Sequence, residues 1–426
     1  MQKIIVEKPY QFLPTYRGTF WPAFFRGIRI HDYYLRKNEG VVGHEVRHVE
    51  RLRASIAAGH AVLVTPNHPR TADPLAMGWL GVAAPCHFHV MASWHLFQRS
   101  RLYGWAIRAM GGFSVNREGV DRQAINMAID LLAEAKRPLI IFPEGATSRT
   151  ADHLHALLDG VAFVARAAAK RRSLQSPPGK VVVHPVAVKY FFGGDIRRAC
   201  DDVLTAIEHR LTWQPQRQLP LLERILKVGS ALLSLKEIEY FGQAAAGTFA
   251  ERLDRLIDRL LGPLEEEWFS RVQSGPAVPR VRNLRSKLLP DMVAGRVTAE
   301  ERARRWQQLA DIYLAQQLAT YPPVYLFRPT VDRVLEIIEK FEEDITDKAR
   351  LHGQLKVVLD VGEPIEVSPE RDRRASVDPL MVQIQQSLQA MIDVLAAESP
   401  PLENVAPAAN GNTTQTRTTD SANQSG

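Results

Sequence analysis

Thr65-Pro66-Asn67-His68-Pro69-Arg70-Thr71-Ala72-Asp73 follows directly on the apolar run Ala61-Val62-Leu63-Val64. A short, unbroken apolar run bounded by turn residues is the pattern of a strand buried on both faces. This one ends by presenting a histidine and, five positions later, an aspartate. Imidazole titrates near neutral pH, and a carboxylate beside it stabilises the protonated ring, so the two together make a ready general base. A histidine after a strand is, on its own, more often a hydrogen-bonded structural residue. The surrounding chain has to decide.

The same kind of run recurs at Phe88 to Met91, at Leu139-Ile140-Ile141-Phe142, and at Val181-Val182-Val183 leading into Val186-Ala187-Val188. Helical spacings lie around these runs: His44 to Ala58, Val120 to Ala135 and Leu154 to Lys170. The first puts Val46, Val49, Leu52 and Ile56 on one face and Gly59 at the C-cap. Short apolar strands alternating with helices predict an α/β fold, a mixed, mostly parallel sheet flanked by helices. Ligands of such sheets bind beyond the carboxyl ends of the strands, which predicts one cleft for His68 and Glu144.

The character of the chain divides it further. Residues 1–42 are aromatic and basic: Phe12, Tyr16, Phe20, Trp21, Phe24, Phe25, Tyr33 and Tyr34 alternate with Arg17, Arg26, Arg29 and Arg36. That mixture suits a bilayer interface, with rings at headgroup depth and cations at phosphate, and equally a helix docked on the core by its rings. Residues 43–194 form the sheet domain. Residues 195–348 read as a charged helical insertion with no repeat that aligns. Residues 349–398 return a strand at Leu355 to Gly362 and a last helix from Pro379 to Ala396. The tail, 399–426, is rich in Pro, Asn, Thr, Ser and Gly and predicts disorder.

Composition excludes several classes. With 45% apolar and 24% charged residues the chain is of globular type. A net charge of +7 and a pI of about 9.4 favour anionic partners, but the basic residues lack the features of a base-reading module, so nucleic acid is not expected. Two cysteines suggest no disulfide framework and fit a reducing compartment. Met1 to Glu7 lack the apolar stretch of a signal peptide. Pro74 to Gln98 contains no Asp, Glu, Lys or Arg, yet Pro85 and three histidines argue for a buried helix, a turn and a buried strand rather than a membrane span. Cys86, His87, His89 and His95 match no usual zinc spacing, and no metal is expected.

Three further stretches follow the His68 motif in order. Gly111-Gly112-Phe113-Ser114-Val115-Asn116-Arg117 carries an arginine after a glycine turn. Ile141-Phe142-Pro143-Glu144-Gly145-Ala146-Thr147-Ser148-Arg149 carries a carboxylate, two hydroxyls and an arginine. Val183-His184-Pro185-Val186-Ala187-Val188 is an apolar strand around a proline. Together with Asn67, His68 and Asp73 these resemble the four blocks of the glycerolipid acyltransferase family, the 1-acyl-glycerol-3-phosphate and lysophospholipid acyltransferases. Val361-Gly362-Glu363-Pro364-Ile365 resembles the family's late strand. One departure stands out: the family often has Thr-Arg-Ser after the Glu-Gly, whereas here Arg149 lies two places later.

The resemblance implies an O-acyltransferase peripheral on the cytoplasmic face of a membrane. Its partners would be an acyl thioester donor (acyl-CoA or acyl carrier protein), a lipid acceptor and the membrane surface, with no further cofactor. His68 would take the acceptor hydroxyl's proton, oriented by Asp73. Arg117 and Arg149 would hold the acceptor phosphate, Thr147 and Ser148 would donate to its oxygens, and Glu144 would place the acceptor, with Gly145 allowing close backbone approach. Two other readings remain open from sequence: a non-catalytic lipid-surface scaffold of the same fold, and a thioester hydrolase using the same base on water.

Overall fold

A computed structural model describes residues 8–321, 325, 327–372, 374–375 and 377–404. The start, 1–7, and the tail from 405 lie outside the described residues, so the disorder expected for 405–426 falls outside them too. Eight strands form one sheet: β1 Val41–Arg47, β2 Ala61–Pro66, β3 His89–Ser93, β4 Gly112–Val115, β5 Leu139–Ile140, β6 Val181–Phe192, β7 Leu355–Val361 and β8 Ile365–Glu366. Their order is β1-β7-β6-β2-β5-β3-β4, with β8 paired to β6 beside β7. From β6 to β4 every pairing is parallel; β7 and β8 pair antiparallel with β6, and β1, parallel to β7, shares their direction. The sheet is therefore mixed and mostly parallel, and the carboxyl ends of β2, β5, β3 and β4 line one edge.

Helices cover both faces. Leu35, Leu52, Met77, Val203 and Ile338 anchor helices to one side, and Ala128, Leu132, Ala165 and Leu388 anchor others to the opposite side. Strand β4 ends the sheet, and residues 10–16 run along it: Ser114 donates its amide to the Leu13 carbonyl at 3.0 Å and Leu13 donates to Ser114 Oγ at 2.8 Å. An edge covered in this way offers no template for pairing with another chain.

Several boundaries differ from the sequence reading. The helix expected over His44 to Ala58 is strand β1 followed by a helix from Val49 to Ala57. The β-branched Val41 and Val46 pair with β7, and Val46 does not complete a helical face. Gly59 does end that helix: at φ 70° it lets His60 donate to the Ser55 carbonyl and its own amide donate to Ile56. The helix expected from Leu154 begins at Gly160. Residues 151–158 send their amides elsewhere: Ala151 to Glu336, Leu154 to Gln389, His155 to Glu144 and Leu158 to the Pro143 carbonyl. The first residues of the expected disordered tail are ordered, since Val331 donates to the Pro400 carbonyl, Leu402 donates to Pro329, and Leu402 is buried.

The described residues of 195–348 fold mainly as helices. The first, Ile196–Arg210, and the last, Val331–Thr346, pack on the sheet face. Between them, helices Leu221–Phe241, Phe249–Phe269, Ala277–Val293 and Ala299–Leu318 are joined by a separate apolar core built on Leu256, Leu260, Leu284 and Ile312. A recurrence that does not align along the sequence is visible in the structure. Glu208, Glu237 and Glu265, each fully buried, do the same thing in turn. One carboxylate oxygen of each accepts the backbone amide eight residues later, at Gln216, Ala245 and Gln273, which closes the following loop. The same carboxylates grip an arginine of the next helix: Arg224, Arg252 and Arg280. A buried, bidentate arginine pair fixes the register of one helix on the next.

Candidate active site

The bend after β2 is held by Asn67, whose side chain donates to the Val188 carbonyl and accepts the Val188 amide, at 3.0 and 2.6 Å. This clamp ties the end of β2 to β6 and leaves His68 at the strand's exit. Asp73 begins the helix Asp73–Ala83, where a carboxylate is favoured by the helix dipole, with Pro74 suited to the first turn. The five-residue loop brings His68 Nδ1 to 2.7 Å from Asp73 Oδ2. Asp73 is fully buried and saturated: Oδ2 also accepts the Arg70 amide at 2.9 Å, and Oδ1 accepts the Tyr190 hydroxyl at 2.6 Å. With Nδ1 facing a carboxylate, the His68 ring proton sits there and Nε2 carries the free lone pair. Phe142 stacks on the ring with centroids 4.2 Å apart. The Thr147 hydroxyl lies 3.4 Å from Nε2, at the place an alcohol must occupy to give up its proton.

The Phe-Pro-Glu-Gly segment meets this loop at the end of β5. Glu144 is buried, and its two oxygens accept the backbone amides of His68 at 2.7 Å and His155 at 3.2 Å. Burial raises its carboxyl to about 7, against the lowering effect of those two amides. Glu144 thus supports the histidine loop from below. Ser148 does so from the side, donating both its amide and its hydroxyl to the His68 carbonyl, at 2.9 and 3.2 Å. Gly145 has φ 70°, the left-handed conformation that glycine adopts without strain, and a Cβ there would stand 2.4 Å from Leu158 Cδ1 and force that side chain to move.

The arginines fare differently from one another. Arg149 is ion-paired to Glu343 on the helix Val331–Thr346, with both contacts at 3.0 Å. Four residues earlier on the same helix, Glu339 grips Arg70 through two contacts of 3.2 and 2.6 Å, both side chains being nearly buried. Arg117, past the end of β4, makes no hydrogen bond or ion pair with a described residue. Burial and the neighbouring Arg285 lower it to about 10, with Glu118 partly opposing them. The structure therefore gathers His68, Asp73, Glu144, Gly145, Thr147, Ser148 and Arg149 at the ends of β2 and β5, and sets Arg117 two strands away beyond β3.

Sequence reading missed Tyr190, Arg70 and Glu339. Tyr190 had a signal, lying two residues past the apolar run of β6. Nothing local marks the partnership of Arg70 with Glu339. Among the described residues no group of three or more His, Cys, Asp and Glu side chains is placed to hold a metal, and no helix is long and apolar enough to cross a membrane. His89, one of the residues weighed as a ligand, faces the Thr15 hydroxyl and the Gly111 carbonyl.

Residues 44–189 match the family model described as acyltransferase. Over 165 residues the chain is 30% identical to a 1-acyl-sn-glycerol-3-phosphate acyltransferase of Streptococcus pneumoniae, a match that spans 59% of that protein and 37% of this chain. No solved structure matches.

Proposed function

We propose that this chain, whose residues 44–189 belong to the acyltransferase family, moves a fatty acyl group from an acyl thioester to the hydroxyl of a glycerol phosphate or lysophospholipid. The observation that carries the reading is the His68 ring, locked by Asp73 at Nδ1 with Nε2 facing only the Thr147 hydroxyl among the described residues. The acceptor hydroxyl gives its proton to Nε2 while its oxygen forms a bond to the thioester carbonyl carbon. Asp73 stabilises the imidazolium. The tetrahedral intermediate then collapses, the carbon–sulfur bond breaks, and the thiolate takes the proton back from Nε2. The products are an ester and a free thiol, and no serine or cysteine nucleophile is required.

The name of the pneumococcal relative supports a 1-acyl-glycerol-3-phosphate acceptor, and acyl-CoA or acyl carrier protein serves equally as donor in this scheme. An exposed ring cluster supports approach to a lipid surface. Phe20 and Phe24 of the helix Phe20–Gly27 are exposed, Trp21 packs edge-on against Trp105 at 5.0 Å, and the exposed Leu102 lies one turn before Trp105. Rings with flanking arginines favour headgroup depth.

The test is the purified full chain with an acyl thioester and a panel of lysophospholipids and glycerol phosphate, followed by mass spectrometry of the products. Acyl transfer to a phosphate-bearing acceptor is expected. Release of free fatty acid at a rate indifferent to every acceptor would replace the reading with a hydrolase.

A further inference from the structure

The last helix of the insertion, Val331–Thr346, carries Asp332, Glu336, Glu339 and Glu343 on one face, the spacing that brings side chains into line. Each has a partner on the sheet domain. Asp332 accepts the Phe192 amide at the end of β6, at 2.7 Å. Both oxygens of Glu336 lie 3.2 Å from the Ala151 amide that donates to them. Glu343 pairs with Arg149, and Glu339 with Arg70. One helix face thus grips the histidine loop, the loop after Glu144, and the strand from which Tyr190 reaches Asp73.

Glu339 has the most direct route to the base. Arg70 lies inside the loop between His68 and Asp73 and bears on the Asp73 carboxylate from two sides. Its amide donates to Oδ2 at 2.9 Å, and its guanidinium lies 5.4 Å from the centre of the Tyr190 ring, whose hydroxyl donates to Oδ1. Arg70 is 9% exposed and Glu339 6%, so little water screens either charge. Burial works against the Arg70 charge; attraction to Glu339 and two hydrogen bonds from it outweigh burial and hold the guanidinium above its ordinary range. Glu336 on the same helix and Glu39 before β1 also face Arg70, and Glu144 faces Asp73 from the end of β5. Without Glu339, a largely buried positive charge would compete with the His68 imidazolium for the Asp73 carboxylate.

We propose that Glu339 is a positioning residue for the base: acting through Arg70, it holds the His68–Asp73 loop and cancels the charge that Arg70 would set against the imidazolium. The helical insertion is thereby part of the catalytic centre. The kinetic consequence rests on the acyl-transfer reading, whereas the coupling to His68 is read without turnover.

Three forms of the full chain are compared with wild type. Glu339→Gln leaves Arg70 charged. Arg70→Met with Glu339→Met removes both charges, an exchange that buried ion pairs often accept without loss of stability. His68→Ala is the reference. In protein with isotope-labelled histidine, the His68 ring C–H resonance, identified by its absence from His68→Ala, is followed against pH by NMR. Glu339→Gln adds a net positive charge beside the ring and disfavours its protonation, so the titration midpoint is expected to fall by roughly one unit. In the double variant the charges removed cancel, and the midpoint stays at the wild-type value. Glu39, Glu144 and Glu336 are present in every form, so the difference belongs to Glu339 and Arg70. In acyl transfer the double variant is expected to melt like wild type yet lose about ten- to hundredfold in kcat, with KM changed less than about twofold, as for a displaced reacting group.

A merely structural pair would move neither the Glu339→Gln midpoint nor the kcat of a double variant that melts like wild type. The inference is overturned if that midpoint coincides with wild type, or if the double variant keeps wild-type kcat. Should Glu339→Gln fail to fold, the double variant decides alone. Equal acyl transfer by wild type and His68→Ala would remove the acyl-transfer reading instead, and the midpoint would still decide the coupling.

Discussion

The carboxyl edge of the sheet has two halves that treat charge in opposite ways. Over β2 and β5 every charged group named has a partner: His68 with Asp73, Glu144 with two amides, Arg70 with Glu339 and Arg149 with Glu343. Over β3 and β4, Arg117 stands unpaired beside Arg285. The first half is a finished framework that orients one ring. The second holds unspent positive charge, which is what a binding site for an anion requires. The difference teaches that a motif arginine is not a ligand by virtue of its motif. Arg117 and Arg149 follow comparable turns past strand ends, and the insertion helix Val331–Thr346 neutralises only the latter.

The largest expected effect falls at the centre of the paired half. His68→Ala should lower acyl transfer about 10²–10⁴-fold, the usual contribution of a general base, while the melting midpoint stays close to wild type. Full activity in that variant would remove the catalytic meaning of the whole half.

Stability should separate the halves by sign. Arg70→Met leaves Glu339 buried without its partner and should cost about 3–5 kcal/mol in urea unfolding. Arg117→Met removes an unpaired, partly buried charge and should leave stability unchanged or raise it by about 1 kcal/mol. If both variants destabilise alike, the two arginines are not in different states and the comparison breaks.

Glu144 supplies a dependence on pH. Its carboxyl is raised to about 7 from the ordinary 4.5, so the fold favours the protonated acid. That stabilisation is complete below about pH 4.5 and is lost as pH rises through about 7. The difference in unfolding free energy between wild type and Glu144→Gln should therefore fall by up to about 3 kcal/mol from the lower pH to the higher. A flat difference would mean that Glu144 is held ionised by its two amides throughout.

The smallest effect is expected at Tyr190. Tyr190→Phe removes one of three donors to Asp73, which keeps the other two, so kcat should fall less than about tenfold, in line with the net worth of one hydrogen bond to a charged group. A loss as large as that of His68→Ala would make Tyr190 an equal member of the base rather than a support for it.

Much of this was legible along the chain. Apolar runs four residues long mark β2 and the strand end at His68, because a strand buried on both faces admits little else. The His68–Asp73 spacing is itself the contact, since a five-residue loop returns on its own strand. The last helix, Pro379–Ala396, lies where its pattern puts it. The helical repeat was written in the sequence too, as a glutamate followed 15 or 16 residues later by an arginine, three times over. It escapes reading because only those positions recur while the apolar ones drift.

What the sequence determined by itself is therefore the fold class, the order of its motifs and the pairing of His68 with Asp73, all set by neighbours within a few residues. The fate of each charge was decided only by tertiary structure. Arg70 meets Glu339 across 269 residues and Arg149 meets Glu343 across 194, while Arg285 reaches Glu118 from another part of the insertion. Electrostatic pairing depends on distance in space, and a pattern read along the chain carries no information about that distance until the helices have packed.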